Sequence, residues 1–319
     1  MYSLAIDTDR TIEAITTYIQ EIVRRDHSRG VILGLSGGLD SCVLAALAVR
    51  ALGPQAVSVI YIGDRDSDPS IADRAREVAR LLGLTLETVD ISDEMAKRGV
   101  YAPLFVRLLR LSPVVAEISS TAYRLVHGEP PFVSALRVGG GETLTPWYKR
   151  LMFNLTMRHV DEGFSQRHIR RRAIAERLAR ERNLSLIGAA NLSECETGWF
   201  VKGGIDDLPV QPLSGLYKTQ VRQLAEALDL PEAVRTQLPS PDMARGVTDE
   251  FGIGHLYRDI DIVFDGHDRG LPESEIARMG VPADKVAAIL ELRRLSAWKR
   301  TSPHEAPPVS GKFGSPIRR

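Results

Sequence analysis

Strand-like runs rich in apolar residues alternate with helical patterns early in the chain, and this alternation constrains the fold more than any other feature. The runs cover residues 30–36 (GVILGLS), 56–63 (AVSVIYIG) and 84–91 (LTLETVDI), and the predicted helices cover residues 11–25, 39–50 and 70–83. Strands with so few polar interruptions are typical of a parallel sheet covered by helices on both faces. We therefore expect an α/β fold, doubly wound around a mostly parallel sheet.

The alternation stops at residue 92 and resumes at residue 165. Between them lie a helical stretch interrupted at Pro103 and Pro113 and, at residues 127–148, a stretch with the composition of a loop. The later part is predicted to contain a basic helix at 165–183, a strand at 184–189, and helices at 216–230, 254–264 and 282–298. The predicted organisation is one α/β domain (1–91 and 165–300) with an insertion (92–164) that serves as packing, a lid, part of the acceptor pocket or a dimer surface. A proline-rich tail (301–319) follows and is expected to be extended or disordered at its end.

Composition excludes several classes of protein. The 41 Lys and Arg residues balance 41 Asp and Glu residues, which argues against a general nucleic-acid binder. The N-terminal residues do not form a signal-peptide pattern, and no apolar run has the length of a membrane span. The two cysteines form no pairing or zinc-binding pattern, which favours a reducing compartment. We expect a cytoplasmic protein that binds neither nucleic acid nor membranes.

The turn SGGLDS at residues 36–41, between the first strand and its helix, carries the strongest functional signal. Amides at a helix start lack intrahelical partners and carry the positive end of the helix dipole, so they bind phosphate. Gly37 and Gly38 would let phosphate oxygens approach the main chain, and Ser36 and Ser41 would add hydroxyl donors. Asp40 would repel phosphate unless a cation such as Mg²⁺ lay between them. A glycine turn that only joins a strand to a helix is the alternative.

SGGLDS resembles the pyrophosphate-binding loop of the ATP pyrophosphatase superfamily, and the second half of the chain resembles its NAD synthetase family. LIGAANLSECETGWFVK (186–202) is similar to the family's strand and Asn-x-Ser-Glu pattern, PLSGLYKTQVRQL (212–224) to its lysine segment, and AWKRTSP (297–303) to its C-terminal His-Lys-Arg run. The resemblance implies an adenine nucleotide alpha hydrolase-like fold and the cofactors ATP and Mg²⁺. It also implies that an acceptor oxygen is adenylated, pyrophosphate leaves, and a nucleophile displaces AMP.

The resemblance also implies roles for individual residues. Asp40 and Glu194 would hold Mg²⁺, and with Lys218, which takes the place of an ATP-phosphate lysine, they are the predicted catalytic residues. The predicted ATP-binding residues are Gly34, Leu35, Ser36, Gly37, Gly38, Leu39, Asp40, Ser41, Ala189, Lys218 and Ser240. The predicted acceptor-binding residues are Arg170, Lys202, Asp206, Asp207, Trp298 and Lys299. A solvated surface charge is the alternative for Lys202, Lys218 and Arg170.

Three positions depart from the family pattern, which leaves the identity of the acceptor open. Ala189 stands where the family has Thr, Pro209 where it has an acceptor-binding Asp, and Trp298 where it has His. Deamido-NAD is the first expectation for the acceptor, and another carboxylate or carbonyl compound is the alternative. Ammonia, an amine or a separate subunit would supply nitrogen, and the family resemblance implies a homodimer. A nucleotide-binding protein without turnover is the third possibility.

Both cysteines fall beside the predicted site. Cys42 follows Ser41 on the loop helix, and Cys195 follows Glu194. A reactive thiol is one interpretation, because cysteines at helix starts can have depressed pKa values. Small buried packing residues are the commoner outcome for cysteine, and we expect packing here.

Overall fold

Four parallel strands form the centre of the molecule, and they confirm the predicted α/β fold. The computed structural model describes residues 4–110, 112–239, 248–301 and 304–307. The strands are β1 (Val31–Gly34), β2 (Val57–Gly63), β3 (Leu86–Asp90) and β4 (Ser185–Leu186). They lie in the order β3-β2-β1-β4, and each neighbouring pair is parallel. Strands β1 and β4 are shorter than the runs that predicted them.

The strand order reverses between β1 and β4. From β1 the chain adds β2 and β3 on one side of the sheet, and β4 then pairs with the other side of β1. The chain that follows β1 crosses to β2 over one face of the sheet, and the chain that leads into β4 crosses over the other face, which leaves a crevice between the carboxyl ends of β1 and β4. Ligands bind in such crevices in open parallel sheets.

Helices cover both faces of the sheet. In chain order the helices of the described residues are α1 (Thr8–Arg25), α2 (Leu39–Leu52), α3 (Pro69–Leu81), α4 (Ser92–Lys97), α5 (Leu104–Leu109), α6 (Pro113–His127), α7 (Pro131–Gly139), α8 (Trp147–Leu155), α9 (Met157–Arg182), α10 (Leu192–Thr197), α11 (Lys218–Ala227), α12 (Glu232–Arg235), α13 (Asp249–Ile253), α14 (Tyr257–Asp268), α15 (Glu273–Arg278) and α16 (Ala283–Leu295). None of the described helices combines the length and apolarity needed to cross a bilayer.

Strand β1 is apolar at successive positions because both of its faces are buried. Val31 and Leu33 pack with residues of α1, α2 and α11 in one cluster. Ile32, which points to the other face, packs with Met95 of α4 and Ile174 of α9. Full burial of one such side chain stabilises the fold by about 1.5–3 kcal/mol, so the central strand is held firmly from both sides.

The region predicted to be a loop at residues 127–148 contains helix α7, so that prediction is wrong there. Pro131 at the first helical position suits a helix start. Val133 and Leu136 are buried against the C-terminal helices, and this burial stabilises α7. The glycines at the end of the helix gave the segment the composition of a loop, so the sequence did not predict it. Gly139 and Gly140 are needed because the Trp298 ring lies against them; a Cβ at Gly139 would be 2.4 Å from Trp298 Cζ2.

Helix α9 begins well before the predicted basic helix. It runs without a break from Met157 to Arg182, so the predicted boundary at 164/165 falls inside one helix. The predicted helix at 254–264 is present as α14, which begins three residues later, at Tyr257, and runs on to Asp268. The short helix α13, which the sequence did not predict, precedes it and ends at Gly254, which has a positive φ. The division of the chain into the predicted segments stays a prediction.

One residue of the proline-rich tail forms an isolated bridge near the sheet. Glu305 forms a parallel bridge with Val210, and the amide of Gly188, beside β4, donates to the carbonyl of Val210. Glu305 thus lies beside the edge of the sheet, while the end of the tail, predicted to be extended or disordered, lies outside the described residues.

Candidate active site

The loop after β1 forms a cradle of backbone amides. Gly38 is the N-cap of α2, and because glycine has no side chain it provides no cap for the first amides of the helix. The two serines brace the loop: Ser41 Oγ donates to Gly38 O at 3.0 Å and accepts from Ser36 N at 3.1 Å. The amides of the first turn therefore face the cleft at the positive end of a 14-residue helix.

Gly37 and Gly38 lie in different surroundings, so each position favours glycine for a different physical reason. Gly38 lines the cleft, and a Cβ there would meet only Ser36 Oγ, at 3.4 Å. Gly37 has φ +82°, and a Cβ there would lie 2.3 Å from Ile71 O of α3. The close approach at Gly37 is thus to helix α3 and not, as the sequence predicted, to a ligand.

Asp40, Glu194 and Lys218 meet at the crevice between β1 and β4. Lys218 Nζ donates to Asp40 Oδ2 and, at 3.1 Å, to Glu194 Oε1. The three side chains come from the first turns of α2, α10 and α11, and all are largely buried, with 15%, 16% and 4% of each side chain exposed. The convergence predicted from separate strand ends is present in the fold.

Asn191 joins these groups, and the sequence analysis did not single it out. Its side chain accepts from Glu194 N at 3.0 Å as the N-cap of α10, and its Nδ2 donates to Asp40 Oδ1 at 2.9 Å. The sequence did contain a signal for this role of Asn191, since an Asn three residues before a Glu is a capping-box pattern. The cap orients Glu194 and links it to the loop after β1.

The charges at this point do not balance. Asp249 of α13 is a third buried acid nearby, and its Oδ2 accepts from the Tyr257 hydroxyl at 3.2 Å. Burial, with Asp40 as a further cause, raises the pKa of Glu194 to about 8 and that of Asp249 to about 6. Burial opposes the charge on Lys218, but Asp40 and Glu194 outweigh it and raise the pKa of this ammonium. Three acids around one lysine leave an excess of negative charge.

This excess suits a divalent cation such as Mg²⁺, which prefers oxygen ligands. Asp40 and Glu194 present carboxylate oxygens to the cleft. Within the described ranges no group of three or more acidic, histidine or cysteine side chains could hold a metal. The protein would therefore supply two ligands, and the remaining positions would go to phosphate oxygens and water.

A cleft of about 1040 Å³ extends from the loop after β1 toward α9 and the insertion. The predicted ATP-binding residues on its wall are Gly34, Leu35, Ser36, Gly38, Leu39, Asp40, Ser41, Ala189 and Lys218. Of the predicted acceptor-binding residues, Asp206 and Lys299 line the cleft. Ser240, predicted to bind ATP, lies outside the described residues.

Arg170 does not line the cleft, and two neighbouring arginines do. Arg170 Nε donates to Glu94 Oε2 of α4 at 2.6 Å. Arg167 and Arg171 are buried on the cleft wall, and Arg167 is held by Asp64 and Asp66 at 3.0 and 2.7 Å. Arg167 and Arg171 are four residues apart and so share a helix face, but the sequence did not show which face of α9 was buried.

Asp206 and Asp207 point in different directions. Asp206 Oδ2 pairs with His168 Nδ1 at 2.6 Å, and although burial opposes its charge, His168 and Arg171 hold the pKa of Asp206 below its ordinary value. Asp207 pairs with His304 at 2.9 Å away from the cleft lining. It therefore anchors the C-terminal segment, in contrast to the predicted acceptor role.

Lys202, Trp298 and Lys299 surround a second cavity of about 500 Å³, and Lys299 also lines the main cleft. Lys202 Nζ donates to Trp298 O at 3.0 Å, and Trp298 Nε1 donates to Leu136 O at 3.1 Å. Neither side chain lines the main cleft, contrary to the prediction. Lys299 donates to two backbone carbonyls, and burial lowers its pKa to about 8.

Both cysteines are buried. Burial raises the pKa of Cys42 to about 12 and that of Cys195 well above its ordinary value. Thiols in this state are poor nucleophiles, which favours the expected packing role over thiol chemistry.

Comparison with known proteins identifies relatives of this chain. The NAD synthase family model matches residues 11–100 and 149–303. An NH(3)-dependent NAD(+) synthetase from Hyperthermus butylicus is 30% identical over 311 residues, covering 96% of this chain and 94% of the relative. One from Coprothermobacter proteolyticus is 29% identical over 284 residues, covering 87% and 91%.

Solved structures support the fold. The NMN synthetase of Francisella tularensis has a TM-score of 0.66 and 20% identity, covering 93% of this chain and 97% of that one. The NH3-dependent NAD synthetase of Campylobacter jejuni, in complex with nitrate, has a TM-score of 0.64 and 20% identity, covering 94% and 99%. The family match extends over both sides of the crevice and omits only residues 101–148 between its two segments. The chain belongs to the NAD synthase family.

Proposed function

We propose that this chain is an ATP-dependent ligase that converts deamido-NAD to NAD with ammonia and releases AMP and pyrophosphate. The observation that carries the proposal is the meeting of Asp40, Glu194 and Lys218 beside the amide cradle at the crevice between β1 and β4. Family membership and relatives named NH(3)-dependent NAD(+) synthetase support the same chemistry.

The loop after β1 binds the phosphates of ATP in this proposal. First-turn amides of α2 donate to phosphate oxygens, and Lys218, whose ammonium stays charged, offsets the charge that develops on pyrophosphate as it leaves. Ala189 and Gly34, on the adjoining cleft wall, contact the rest of the nucleotide. Asp40 and Glu194 would hold Mg²⁺, which when bound neutralises phosphate charge.

The acceptor lies between the phosphate end of the cleft and α9. An oxygen of its carboxylate attacks the α-phosphorus of ATP, the new P–O bond forms, and the bond to pyrophosphate breaks. Ammonia then attacks the acyl carbon, loses a proton, and AMP leaves with the carboxylate oxygen. Arg171, Asp206 and Lys299 line the cleft and are the residues we assign to hold the acceptor.

A different carboxylate acceptor is the second candidate, and one observation favours it. Helices α5, α6 and α7 contribute side chains such as Arg107, Ser120 and Phe132 to the cleft, although residues 101–148 lie outside the family match. Pro209 and Trp298 also differ from the family pattern. Nicotinate mononucleotide is the acceptor to compare first, because one structural neighbour is an NMN synthetase.

The test is product analysis by ³¹P NMR and chromatography with ATP, Mg²⁺, ammonium and each acceptor. NAD, AMP and pyrophosphate in equal amounts support the proposal. AMP and pyrophosphate formed only with nicotinate mononucleotide would move the acceptor to the second candidate. ADP as the product, or ATP binding without turnover with either acceptor, would refute the ligase assignment.

We also propose a cytoplasmic homodimer. Apolar side chains exposed on α6 and α8, among them Ile118, Leu125, Trp147 and Leu155, support a contact surface, since exposed apolar patches commonly mark interfaces. Analytical ultracentrifugation tests the dimer, and a monomer at micromolar concentration would contradict it.

A further inference from the structure

Asp261 is a wholly buried carboxylate that lies behind the proposed ATP-phosphate site. It belongs to α14 and has no exposed surface. It does not line the cleft, so it is out of reach of a bound substrate. Burying a carboxylate costs folding free energy unless its oxygens are well bonded, so the partners of Asp261 indicate what it does.

The partners of Asp261 are the residues next to two proposed catalytic groups. Ser193 Oγ donates to Asp261 Oδ1 at 2.5 Å, and Ser193 precedes Glu194. Thr219 donates to Asp261 Oδ2 through its amide at 2.9 Å and its hydroxyl at 2.7 Å, and Thr219 follows Lys218. One carboxylate thus joins the first turns of α10 and α11.

A second link closes the arrangement. Lys218 N donates to Ser193 Oγ at 2.8 Å, so the serine hydroxyl bridges the Lys218 backbone and Asp261. The carboxylate also lies against the amide end of α11, where negative charge is favourable. The backbones that carry Glu194 and Lys218 are therefore held at a fixed separation by four hydrogen bonds with Asp261 and Ser193 at their centre.

We infer that Asp261 is a positioning residue: it fixes Glu194 and Lys218 relative to each other and so sets the geometry of the ATP-phosphate site without touching substrate. The inference rests on the proposed function for its consequence in catalysis. Geometry of this kind matters because a displacement of about 1 Å of a reacting or charge-stabilising group can lower a rate about a hundredfold.

The test compares Asp261→Asn with Asp259→Asn. Asp259 lies on the same helix, is also buried, and pairs with Lys285 Nζ at 3.2 Å in place of the residues next to Glu194 and Lys218. We expect Asp261→Asn to lower kcat for pyrophosphate release about 10- to 100-fold, with the KM for ATP within about threefold. Asp259→Asn should keep kcat within about twofold even if both variants lose thermal stability.

Thr219 provides the conservative series. Thr219→Val removes one hydroxyl bond and should lower kcat several-fold, and Thr219→Ser, which keeps the hydroxyl, should restore it. This pair decides the question if Asp261→Asn does not fold. Wild-type kcat in Asp261→Asn or in Thr219→Val, or an equal loss in Asp259→Asn, would overturn the inference.

A crystal structure of Asp261→Asn separates this inference from the proposed function. The distance from Lys218 Nζ to Glu194 Oε1, 3.1 Å in the native chain, should exceed hydrogen-bonding reach in Asp261→Asn and stay unchanged in Asp259→Asn. An unchanged distance in Asp261→Asn would contradict the positioning role even if the wild-type enzyme proved active on another substrate. If wild-type protein released no pyrophosphate, the proposed function would fail while the distance still tested the positioning.

Discussion

The two ends of the cleft are built differently. At the phosphate end, Asp40, Glu194 and Lys218 stand on first helical turns that follow strands or buried loops, and backbone and side-chain hydrogen bonds hold each of them. At the acceptor end, Arg171 comes from the middle of the long helix α9, and the insertion forms part of the wall. The phosphate end is fixed by the sheet, whereas the acceptor end can change with one inserted segment.

The largest expected effect tests the phosphate end. Lys218→Met removes the ammonium shared by Asp40 and Glu194. In the proposed mechanism this ammonium stabilises the negative charge that develops on pyrophosphate in the transition state, so the rate of pyrophosphate release should fall about 10²- to 10³-fold. Steady-state rates with a coupled pyrophosphate assay measure this. Lys285→Met, which removes an ammonium paired with Asp259, is the control and should keep its rate. Wild-type turnover in Lys218→Met would show that the phosphate end is not as described.

Alanine substitutions at the two adjacent glycines of the loop after β1 should differ in their effect on stability. Gly37→Ala places a Cβ against Ile71 O at a positive φ, so it should lower the free energy of unfolding by about 2–3 kcal/mol. Gly38→Ala has room for the Cβ and should change it by less than about 1 kcal/mol. Urea denaturation of both variants measures the difference. Equal stabilities would mean that α3 does not restrict the loop.

At the acceptor end, the orientation of α9 can be tested with neighbouring arginines. Arg171→Gln removes a cation on the cleft wall and should raise the KM for the acceptor about tenfold or more, with the KM for ATP unchanged, since charged hydrogen bonds contribute about 1.5–3 kcal/mol. Arg170→Gln breaks only the pair with Glu94 and should leave both KM values near wild type. The opposite ranking would place Arg170, and not Arg171, at the acceptor.

A further prediction is a pH dependence at Lys299. Burial lowers its pKa from 10.5 to about 8, so between these pH values the unfolded chain binds more protons than the folded chain. The free energy of unfolding should therefore rise with pH over this range and show no such contribution below pH 8. The difference in unfolding free energy between wild type and Lys299→Met should follow the same course from pH 7 to 10. A difference that does not vary with pH would show that Lys299 is not desolvated.

The sequence predicted that Asp40 and Glu194 lie close together because topology alone brings them there. Residues that follow β1 and β4 meet wherever two adjacent parallel strands end, so Asp40 and Glu194 needed no knowledge of side-chain packing. The acceptor end needed that knowledge. Which face of α9 lines the cleft depends on packing against helices of the insertion, so the sequence pointed to Arg170, whereas Arg171 lines the cleft. The need for glycine at position 37 likewise depends on a residue distant in sequence, Ile71. The formation of α7 depends on its packing against the C-terminal helices.

The central claim is that Asp40 and Glu194 act together on one cation at the ATP phosphates, and a double-mutant cycle tests it most directly. Pyrophosphate release would be measured at saturating Mg²⁺ for wild type, Asp40→Asn, Glu194→Gln and the double variant. Residues that act as a unit give non-additive losses, so the double variant should be about as slow as the slower single variant. A double variant whose loss equals the product of the two single losses would show that the carboxylates act independently and would contradict the account.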